Sequence, residues 1–453
     1  MLKKNELIEL EITGITNEGS GVGRYEGLAV FVPLTAVGDV ISCRIVKTAK
    51  SYCYGRLEQI ITPSDRRIEP DCPVFRHCGG CAFRHFDYEE ELRIKQEMVR
   101  ASFERIGKLS LEYEPIMGAL SCDKYRNKAQ YPVAEKDGRA VCGFYSRRSH
   151  RVVEHTDCRL QPEIFSELVS ACMSYINANG IPAYDELTGT GTLRHIYLRR
   201  GEHTGEIMLC FVVTSIDKAM ALRPLAERLY SSCPDIKSVV LNENPKNTNA
   251  ILGQKLFTLC GSDTITDIMC GNRIELSPLS FYQVNTTQAE RLYALAADYA
   301  KLTEDSLLLD LYCGAGTIGL SMAGRVKRLI GAEIVAPAVK NARRNAELNG
   351  ITNAEFICGD AGEAARRLFE RGERPDVIIA DPARKGCTRD TLEYMARMSP
   401  ERIVMISCNH ATAARDCAIL NDLGYTPRLC RAVDLFPRCS HVETVVLMSR
   451  VKN

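Results

Sequence analysis

The stretch SLLLDLYCGAGTIGL, residues 306–320, decides the fold of the C-terminal part of the chain. Its first half is an apolar run of strand length, and its second half is a glycine-containing turn that leads into helical sequence. Four more apolar runs follow in RLIGAEI, AEFICGD, DVIIADPARKG and RIVMISCN, with helical segments between them. This alternation predicts a parallel, doubly wound α/β sheet in residues 273–453, with a closing strand in VETVVLMSRV.

Polar residues stand where the predicted strands end. In an open α/β sheet, ligands bind in the crevice outside the carboxyl ends of the strands. Those ends carry four acidic residues and one thiol, namely Asp310, Glu333, Asp360, Asp381 and Cys408. The sequence therefore predicts the functional site at this edge of the sheet.

The turn after the first predicted strand has features of a nucleotide-cofactor site. Gly314 and Gly316 allow the backbone to approach a ligand closely, and Glu333 is placed to hold ribose hydroxyls. A nicotinamide cofactor would use the same features. The acidic-x-x-Cys-Gly-x-Gly spacing and the later Asp360 favour S-adenosylmethionine, which has no pyrophosphate.

A thiol at a strand end, such as Cys408, can act as a nucleophile if its pKa is lowered. Downstream, DLFPRCSHVET supplies His441 and Glu443 as candidate bases. Upstream, SPLSFYQVN supplies two aromatic residues that could stack on a nucleobase and Gln283, which could bind one. A thiol, a base and a methyl donor suit carbon 5 of a pyrimidine, because that carbon becomes nucleophilic only after a thiolate adds at carbon 6.

Each of these residues also has an ordinary structural interpretation. Taken alone, Cys408 is more typical of a buried packing thiol, and Glu443 of a solvated or ion-paired carboxylate. Asp381 could cap a helix after Pro382. Their joint occurrence at the ends of one sheet favours the functional interpretation.

Chain length and composition set the outer limits. A chain of 453 residues predicts two or three domains. A net charge of +1 means that any nucleic-acid surface must be a local basic patch. The start of the chain lacks a signal peptide and no apolar run reaches membrane-spanning length, so we expect a cytoplasmic protein. Its twenty cysteines then indicate reduced thiols, metal ligands or a catalytic thiol.

The N-terminal and central regions have different patterns. Short alternating strands and glycine-rich turns predict a small OB-type barrel in residues 1–61. The turn sequence GSGVG does not predict a phosphate loop, because no Lys-Ser/Thr pair or helix follows it. Residues 62–272 begin with a linker and continue as a mixed α+β region. Within it, EEELRIKQEMVRASFERIG predicts an amphipathic helix that ends at Gly107.

Four cysteines of the central region have the spacing of a metal site. CPVFRHCGGCAFRH contains a C-x5-C-x2-C motif, and HTDCRLQ supplies a further thiol downstream. Four thiolates could hold zinc or an iron–sulfur cluster. Nearby His77, His85 and His155 keep zinc open on chemistry alone. The candidate ligands are Cys72, Cys78, Cys81 and Cys158.

Six segments of the C-terminal part carry a resemblance to a known family. They are SFYQVN, DLYCGAGTIGL, GAEI, DPARKG, SCNHATAARD and DLFPRCSHVETV. In this order they resemble the motifs of the RNA uracil-C5 methyltransferases. The resemblance implies that Cys408 is the nucleophile on uracil C6 and that Glu443 removes the C5 proton. It implies roles in binding S-adenosylmethionine for Gln283, Tyr312, Thr317, Glu333, Asp360 and Asp381.

The rest of the chain resembles the branch of this family that methylates 23S ribosomal RNA. The N-terminal barrel is similar to its TRAM domain, and the four-cysteine pattern is similar to the one that holds its [4Fe-4S] cluster. The shorter tRNA-modifying branch lacks both features, so the resemblance implies 23S rRNA as substrate, with tRNA as the alternative. It implies a structural or RNA-positioning role for the cluster, since methyl transfer needs no electrons. We expect a monomer without a membrane partner.

One departure from the family pattern is His410, which stands where proline is common after SCN; we expect it to matter little. The target base must be flipped out of its stack or already lie in a loop. YRNKAQY, YSRRSHR and LRHIYLRRG are candidate phosphate contacts, although each could be a solvated surface.

Two rival functions stay open. A cytosine-C5 methyltransferase would use similar addition chemistry and would read a different base edge. A non-catalytic RNA-binding or ribosome-assembly factor would keep the fold without turnover. The presence of both Cys408 and Glu443 argues against the second rival.

Overall fold

The N-terminal strands close into a small barrel in the computed structural model, which describes residues 2–451. Buried and exposed residues alternate along the first strand, so that Ile8, Leu10 and Ile12 point into the barrel. The strands are β1 (Leu7–Ile15), β2 (Ser20–Tyr25), β3 (Leu28–Pro33), β4 (Val40–Thr48) and β5 (Tyr52–Thr62). Their order around the barrel is β1-β2-β3-β5-β4, which confirms the predicted barrel.

The GSGVG sequence forms part of the barrel wall in β2. A Cβ atom on Gly21 would lie 2.0 Å from Thr35 Oγ1, and one on Gly23 would lie 2.4 Å from the Glu11 carbonyl oxygen. These glycines therefore allow close packing of neighbouring strands, as expected for a segment that is not a phosphate loop.

Helix α1 (Tyr88–Ser102) follows the linker and continues into a π-helical turn at Phe103–Gly107, which confirms the predicted helix and its end. Asp87 caps α1, because its side chain accepts a hydrogen bond from the Glu90 amide at 2.8 Å. The next strand, β6 (Glu112–Met117), does not join the central sheet. It forms the edge of the C-terminal sheet, so the central region contributes a strand that the sequence did not assign to the C-terminal domain.

The central region is a seven-stranded mixed sheet with helices packed on one face, in agreement with the predicted α+β character. Its strands are β7 (Lys128–Lys136), β8 (Arg139–Tyr145), β9 (Val152–Glu154), β10 (Leu193–Arg200), β11 (Ile207–Val213), β12 (Ile236–Glu243) and β13 (Lys255–Gly261). Its helices are α2 (Glu163–Ala178), α3 (Ile216–Ala219) and α4 (Arg223–Ser232). A hairpin of β14 (Ile265–Met269) and β15 (Asn272–Leu276) leads into the C-terminal part.

The C-terminal part contains an eight-stranded sheet whose first five strands are parallel, as predicted. The strands are β16 (Leu307–Leu311), β17 (Arg328–Glu333), β18 (Ala354–Cys358), β19 (Val377–Ala380), β20 (Arg402–Ser407), β21 (Tyr425–Val433) and β22 (Glu443–Arg450). The helices are α5 (Thr286–Ala300), α6 (Thr317–Met322), α7 (Ala336–Leu348), α8 (Ala361–Glu370), α9 (Arg389–Arg397) and α10 (His410–Asp422).

The order of this sheet, β18-β17-β16-β19-β20-β22-β21-β6, reverses between β16 and β19. A crevice for ligands opens at such a reversal, outside the carboxyl ends of the strands. The predicted closing strand is β22, which pairs antiparallel to β20. Among residues 2–451, no helix has both the length and the apolar composition needed to cross a membrane.

A buried ion-pair network ties α1 to the loop between β21 and β22. Lys95 Nζ lies 2.7 Å from Glu91 Oε1 and 2.7 Å from Asp434 Oδ1, and all three side chains are fully buried. Lys95 also donates to the Phe436 carbonyl oxygen at 3.1 Å. The segment that precedes Glu443 is therefore held by a helix from the central region.

Replacing Lys95 with methionine should lower the free energy of unfolding by about 3–5 kcal/mol, because Asp434 would lose its buried cation and Glu91 would keep only Arg438, whose Nη1 lies 3.5 Å from Glu91 Oε2. Urea denaturation measures this change. Arg93→Met is the matched control on the same helix. The Arg93 side chain is 59% exposed in its pair with Glu90, so its loss should cost less than about 1 kcal/mol. Equal stability of Lys95→Met and the unaltered protein would contradict a charged network.

Candidate active site

Cys408 and Glu443 lie close together at the edge of the sheet. Cys408 directly follows Ser407, the last residue of β20, and Glu443 is the first residue of β22. In the pairing of these two strands, Ser407 lies opposite Thr444, the neighbour of Glu443. Glu443 is only 4% exposed, whereas Cys408 is partly exposed to the crevice. The fold thus brings together the two residues to which the sequence assigned the chemistry.

Burial and mutual repulsion keep protons on this pair. Burial, together with the carboxylates of Glu443 and Asp381, raises the pKa of Cys408 to about 11. Burial and the neighbouring Asp381 raise the pKa of Glu443 to about 8, while the Arg384 guanidinium opposes this shift. Burial raises the pKa of Asp381 to about 6. The lowered pKa that would favour a nucleophilic thiol is therefore not found at Cys408.

His441, considered above as a candidate base, is instead a hydrogen-bond partner of Arg384. Its Nε2 atom accepts a hydrogen bond from Arg384 Nη2 at 3.0 Å, so the lone pair that a base would use is occupied. Burial and the Arg384 charge lower the pKa of His441 to about 4. Glu443 is thus the better placed base. Sequence reasoning missed Arg384, although it lies in the quoted DPARKG segment.

The loops around Arg384 and Asp381 are fixed by neighbouring helices. Asn409 caps α10 and donates from Nδ2 to the Arg384 carbonyl oxygen at 3.1 Å. Asp381 does not cap the following helix, because α9 begins at Arg389 and is capped by Thr388. The capping interpretation of Asp381 is therefore wrong, and its carboxylate is left facing the Cys408–Glu443 pair.

The loop after β16 has a backbone suited to close contact with a ligand. Tyr312, Gly314 and Gly316 have φ angles of 65°, 56° and 81°, and the tyrosine is in a region that strains any residue other than glycine. The Glu333 carboxylate accepts from the Gly314 amide at 3.1 Å and from the Val335 amide at 2.8 Å. Glu333 therefore connects the first two loops of the sheet edge.

The surroundings of Glu333 fit an adenosine group. Ile334 and Val335, directly after this carboxylate, are 62% and 51% exposed. An apolar surface beside a carboxylate offers stacking for a base and hydrogen bonding for a ribose. Buried Asp310 has a structural role instead, because its Oδ2 accepts from the Gly319 amide at 2.8 Å and fixes the start of α6 against β16. Burial raises the pKa of Asp310 to about 7.

The remaining predicted cofactor residues lie around the same edge. Thr317 Oγ1 lies 3.3 Å from the Tyr293 hydroxyl at the start of α6. Asp360 is exposed and caps α8 by accepting from the Gly362 amide at 2.9 Å. The carbonyl oxygen of Gln283 accepts from Asn127 Nδ2 at 2.8 Å. The Tyr312 side chain packs against the core beside α9. Its backbone, and not its ring, therefore faces the turn formed by Gly314 and Gly316.

The two aromatic residues before Gln283 point in opposite directions. Phe281 is 70% exposed, whereas Tyr282 is 3% exposed and donates from its hydroxyl to Asp267 Oδ2 at 2.9 Å. Only Phe281 is therefore available to stack on a nucleobase. His410 is also buried, and its Nδ1 atom lies 2.7 Å from Ser102 Oγ, so this position serves the contact between α10 and α1.

The four cysteines of the predicted metal site line one cavity of about 140 Å³. This volume is roughly ten times what a single water molecule requires. Three guanidinium groups also line it, and no carboxylate does, which suits a group built on thiolates. The cysteines are Cys72, Cys78, Cys81 and Cys158, and the arginines are Arg84, Arg126 and Arg159.

The thiols that line the cavity are not gathered around one point. Within residues 2–451, no three His, Cys, Asp or Glu side chains are gathered closely enough to hold a single metal ion. Of the three nearby histidines only His155 lines the cavity, and His85 is buried against the Thr35 carbonyl oxygen. One zinc ion would require its sulfur ligands to converge to about 2.3 Å from one point. The described residues therefore show neither a zinc site nor a cluster site.

Comparisons with known proteins identify the family. The family described as tRNA (Uracil-5-)-methyltransferase matches residues 272–451, and the TRAM domain matches residues 2–57. A relative from Halalkalibacterium halodurans, described as an RNA methyltransferase, is 40% identical over 448 residues, which cover 99% of this chain and 98% of the relative. A relative from Clostridium tetani with the same description is 38% identical over 448 residues, which cover 99% and 97%.

A solved structure agrees with the fold over nearly the whole chain. It is the Pyrococcus abyssi tRNA (uracil-54, C5)-methyltransferase in complex with S-adenosyl-L-homocysteine, with a TM-score of 0.78 and 23% sequence identity. The match covers 97% of this chain and 100% of that chain. Together with the full-length relatives and the matched C-terminal domain, this establishes that the chain belongs to the family of S-adenosylmethionine-dependent RNA (uracil-5-)-methyltransferases.

Proposed function

We propose that this protein methylates carbon 5 of a uracil in 23S rRNA, with Cys408 as nucleophile and Glu443 as base. The observation that carries the proposal is the pairing of a partly exposed thiol with a buried carboxylate beside the cofactor loop. A flipped pyrimidine that reaches Cys408 would have its ring between these two side chains. Phe281, exposed at the same edge, offers a surface on which a neighbouring base can stack.

Each step of the reaction uses a side chain at this edge. Cys408 Sγ bonds to C6 of the uracil while the thiol proton passes to solvent, and the electron pair of the C5–C6 double bond moves toward C5 and O4. S-Adenosylmethionine, when bound, supplies the methyl group that C5 accepts and is released as S-adenosyl-L-homocysteine. The Glu443 carboxylate then takes the C5 proton, the C5–C6 double bond re-forms, and the C6–S bond breaks. The Cys408 thiolate takes up a proton from solvent and Glu443 releases the proton it took, which restores the protein.

The raised pKa of Cys408 is compatible with this role. Ionising a thiol of pKa about 11 at pH 7 costs about 5 kcal/mol. A reaction that turns over about once per second has a barrier of about 17 kcal/mol, so the cost fits within it. A neutral resting thiol also limits reaction with other electrophiles before RNA arrives.

Gln283, Tyr312, Thr317, Glu333, Asp360 and Asp381 are proposed to surround the methyl donor. Glu333 would accept from ribose hydroxyls, and the positive-φ backbone at Tyr312 and Gly314 would allow the ligand to approach closely. Asp381 is close to Glu443 and would also face the uracil.

We further propose that Cys72, Cys78, Cys81 and Cys158 hold a [4Fe-4S] cluster. Such a cluster takes one thiolate on each iron, so its ligands surround a body larger than one ion. The cavity that the four thiols share, lined also by three arginines, supports this choice. The cluster would be structural, fixing the loop at residues 72–81 against the central sheet. That loop is followed by Ala82 and Phe83, whose amides donate to the Arg438 carbonyl oxygen at 2.8 and 3.0 Å.

Replacing Cys78 with serine should remove most of the bound iron and sulfide and the visible absorption of the anaerobically purified protein, because one iron loses its thiolate. Cys439→Ser is the matched control. Cys439 is a buried thiol 3.5 Å from Nη2 of Arg126, which lines the cavity, but Cys439 itself does not line it and is not a proposed ligand. Metal analysis that finds one zinc and no iron, with loss on His155→Ala, would contradict the cluster.

The RNA substrate is tested by incubating the protein with labelled S-adenosylmethionine and a mixture of unmodified 23S rRNA and tRNA. The labelled nucleoside is then identified and mapped. We expect 5-methyluridine in 23S rRNA, and Cys408→Ala as control should give no label. Label in tRNA alone would retain the chemistry and overturn the substrate. 5-Methylcytidine would overturn the base, and no label in either RNA would overturn the proposed activity.

A further inference from the structure

Three cationic side chains form a row where the central sheet meets the catalytic domain. Lys128 on β7 lies opposite Arg199 on β10, and opposite residues of an antiparallel pair share one face of the sheet. Arg126 precedes Lys128 by two positions. The charges of Arg199 and Arg126 both lower the pKa of the Lys128 ammonium group, so both guanidinium groups lie near it. Two basic stretches of the sequence, YRNKAQY and LRHIYLRRG, thus meet at one place.

The two arginines of this row are engaged with loops that carry the active site. Arg199 donates from Nη1 to the Ser277 carbonyl oxygen at 2.9 Å and from Nη2 to that of Ser280 at 2.8 Å. Arg126 Nη2 lies 3.5 Å from Cys439 Sγ, four positions before Glu443. The row is therefore fixed between the segment that leads to Gln283 and the segment that leads to the base.

Within the part of the chain that the structure describes, Lys128 has no carboxylate partner, and the two arginines of the row contact carbonyl oxygens and the Cys439 sulfur. Among residues 2–451, no carboxylate oxygen lies within 4.0 Å of its ammonium group, and burial and the two arginines lower its pKa to about 8. Further polar atoms nearby are buried without a hydrogen-bond partner, namely Arg126 Nε, Arg199 Nε, the Tyr197 hydroxyl and Asn127 Oδ1. A half-buried cluster of cations with unused polar atoms is incomplete without an anion.

We propose that Lys128 binds a backbone phosphate next to the target nucleotide, and that Arg126 and Arg199 hold this phosphate seat in place. The inference rests on the proposed function and names the RNA contact of the same site. A base is flipped by rotation about its own backbone, so the adjacent phosphates must be fixed for the base to reach Cys408. An ammonium group on a flexible stem is a common point-charge ligand for phosphate.

The seat lies beside the crevice and not within the cofactor loop. Asn127, between Arg126 and Lys128, donates from Nδ2 to the Gln283 carbonyl oxygen at 2.8 Å, so the start of β7 lies against the segment that contains Gln283. A phosphate there would compensate the charge that the fold leaves unbalanced. It would also raise the affinity for any RNA sequence equally, because a phosphate carries no base identity.

Lys128→Gln, made in the Cys408→Ala protein so that no covalent bond forms, tests the seat by binding to 23S rRNA fragments at several salt concentrations. We expect about tenfold weaker binding at moderate salt. We also expect the slope of log K against log salt to fall by about 0.7–0.9, the share of one phosphate. Lys128→Arg should keep the slope. Lys136→Gln is the matched control, since Lys136 is exposed at the other end of β7.

Three readouts separate the alternatives. The affinity of Lys128→Gln for S-adenosylmethionine should equal that of the protein with Lys128. If this affinity falls and RNA binding does not, Lys128 contacts the methyl donor and the proposal is overturned. An unchanged salt slope in Lys128→Gln would overturn it as well. Thermal unfolding should be unaffected, because glutamine removes an uncompensated charge, and Lys128→Met repeats the test with another neutral side chain. If the unaltered protein binds RNA but does not methylate it, the proposed function is refuted. The phosphate contact can still be tested in that case, because it is measured by RNA binding.

Discussion

Replacing Cys408 with alanine should abolish methyl transfer, with a loss of at least about 10⁴-fold, while binding of RNA and of S-adenosylmethionine persists. Alanine removes the atom that bonds to C6, and without that bond C5 of uracil has no nucleophilic character. Loss of a covalent nucleophile has effects of this size in other enzymes. The measurement is transfer of label from S-adenosylmethionine to RNA under single-turnover conditions, together with direct binding of both ligands.

Cys358→Ala is the matched control for this experiment. Cys358 is an exposed thiol at the end of β18, on the same edge of the same sheet, and it has no assigned role. Its replacement should leave transfer unchanged. Turnover that survives Cys408→Ala and disappears in Cys387→Ala or Cys439→Ala would show that the nucleophile is misassigned. Both of those thiols are buried.

Replacing Glu443 with glutamine should trap the RNA on the protein as a methylated covalent adduct that resists denaturant. Glutamine has nearly the same shape but cannot take the C5 proton, so the elimination that frees Cys408 fails. Addition should still occur, because the bond to C6 uses the Cys408 thiol, which this variant retains. Turnover should fall by about 10²–10⁴-fold, the usual contribution of a general base. Denaturing gel electrophoresis with labelled methyl donor detects the adduct.

Two further variants control the trapping experiment. The double variant Cys408→Ala, Glu443→Gln should form no adduct, because the bond requires the thiol. His441→Gln should turn over without accumulating an adduct, since the His441 imidazole already accepts a hydrogen bond from Arg384. Accumulation in His441→Gln and not in Glu443→Gln would exchange the roles of the two residues.

The sequence predicts those parts of the site that depend on local pattern. Strand ends can be located from short apolar runs, and the ends of parallel strands share one edge, so Glu333, Asp381 and Cys408 could be grouped in advance. The closeness of Cys408 and Glu443 depends on the register in which β20 pairs with β22. No local sequence pattern specifies this register. The motif resemblance supplied that pairing instead.

Other features could not be predicted because they depend on contacts distant in sequence. The strand EYEPIM is short and mixed in polarity, and only its parallel pairing with β21 makes it part of the catalytic sheet. The direction of Phe281 and Tyr282 follows from the bond between Tyr282 and Asp267. The hydrogen bond from Arg384 to His441 joins two loops, and it decides which of the two candidate bases is free.

The origin of β6 has a consequence for how this protein can be divided. The catalytic sheet takes its last strand, and the loop before Glu443 takes its ion-pair anchor, from residues well before the matched methyltransferase domain. A fragment starting at residue 272 would expose the edge of β21 and leave Asp434 without Lys95, which invites aggregation through the open edge. The catalytic sheet therefore depends on a strand and on an ion-pair partner that a fragment of this kind lacks. A fragment that retains both must begin before Tyr88, the first residue of α1, inside the region that the sequence assigned to a separate domain.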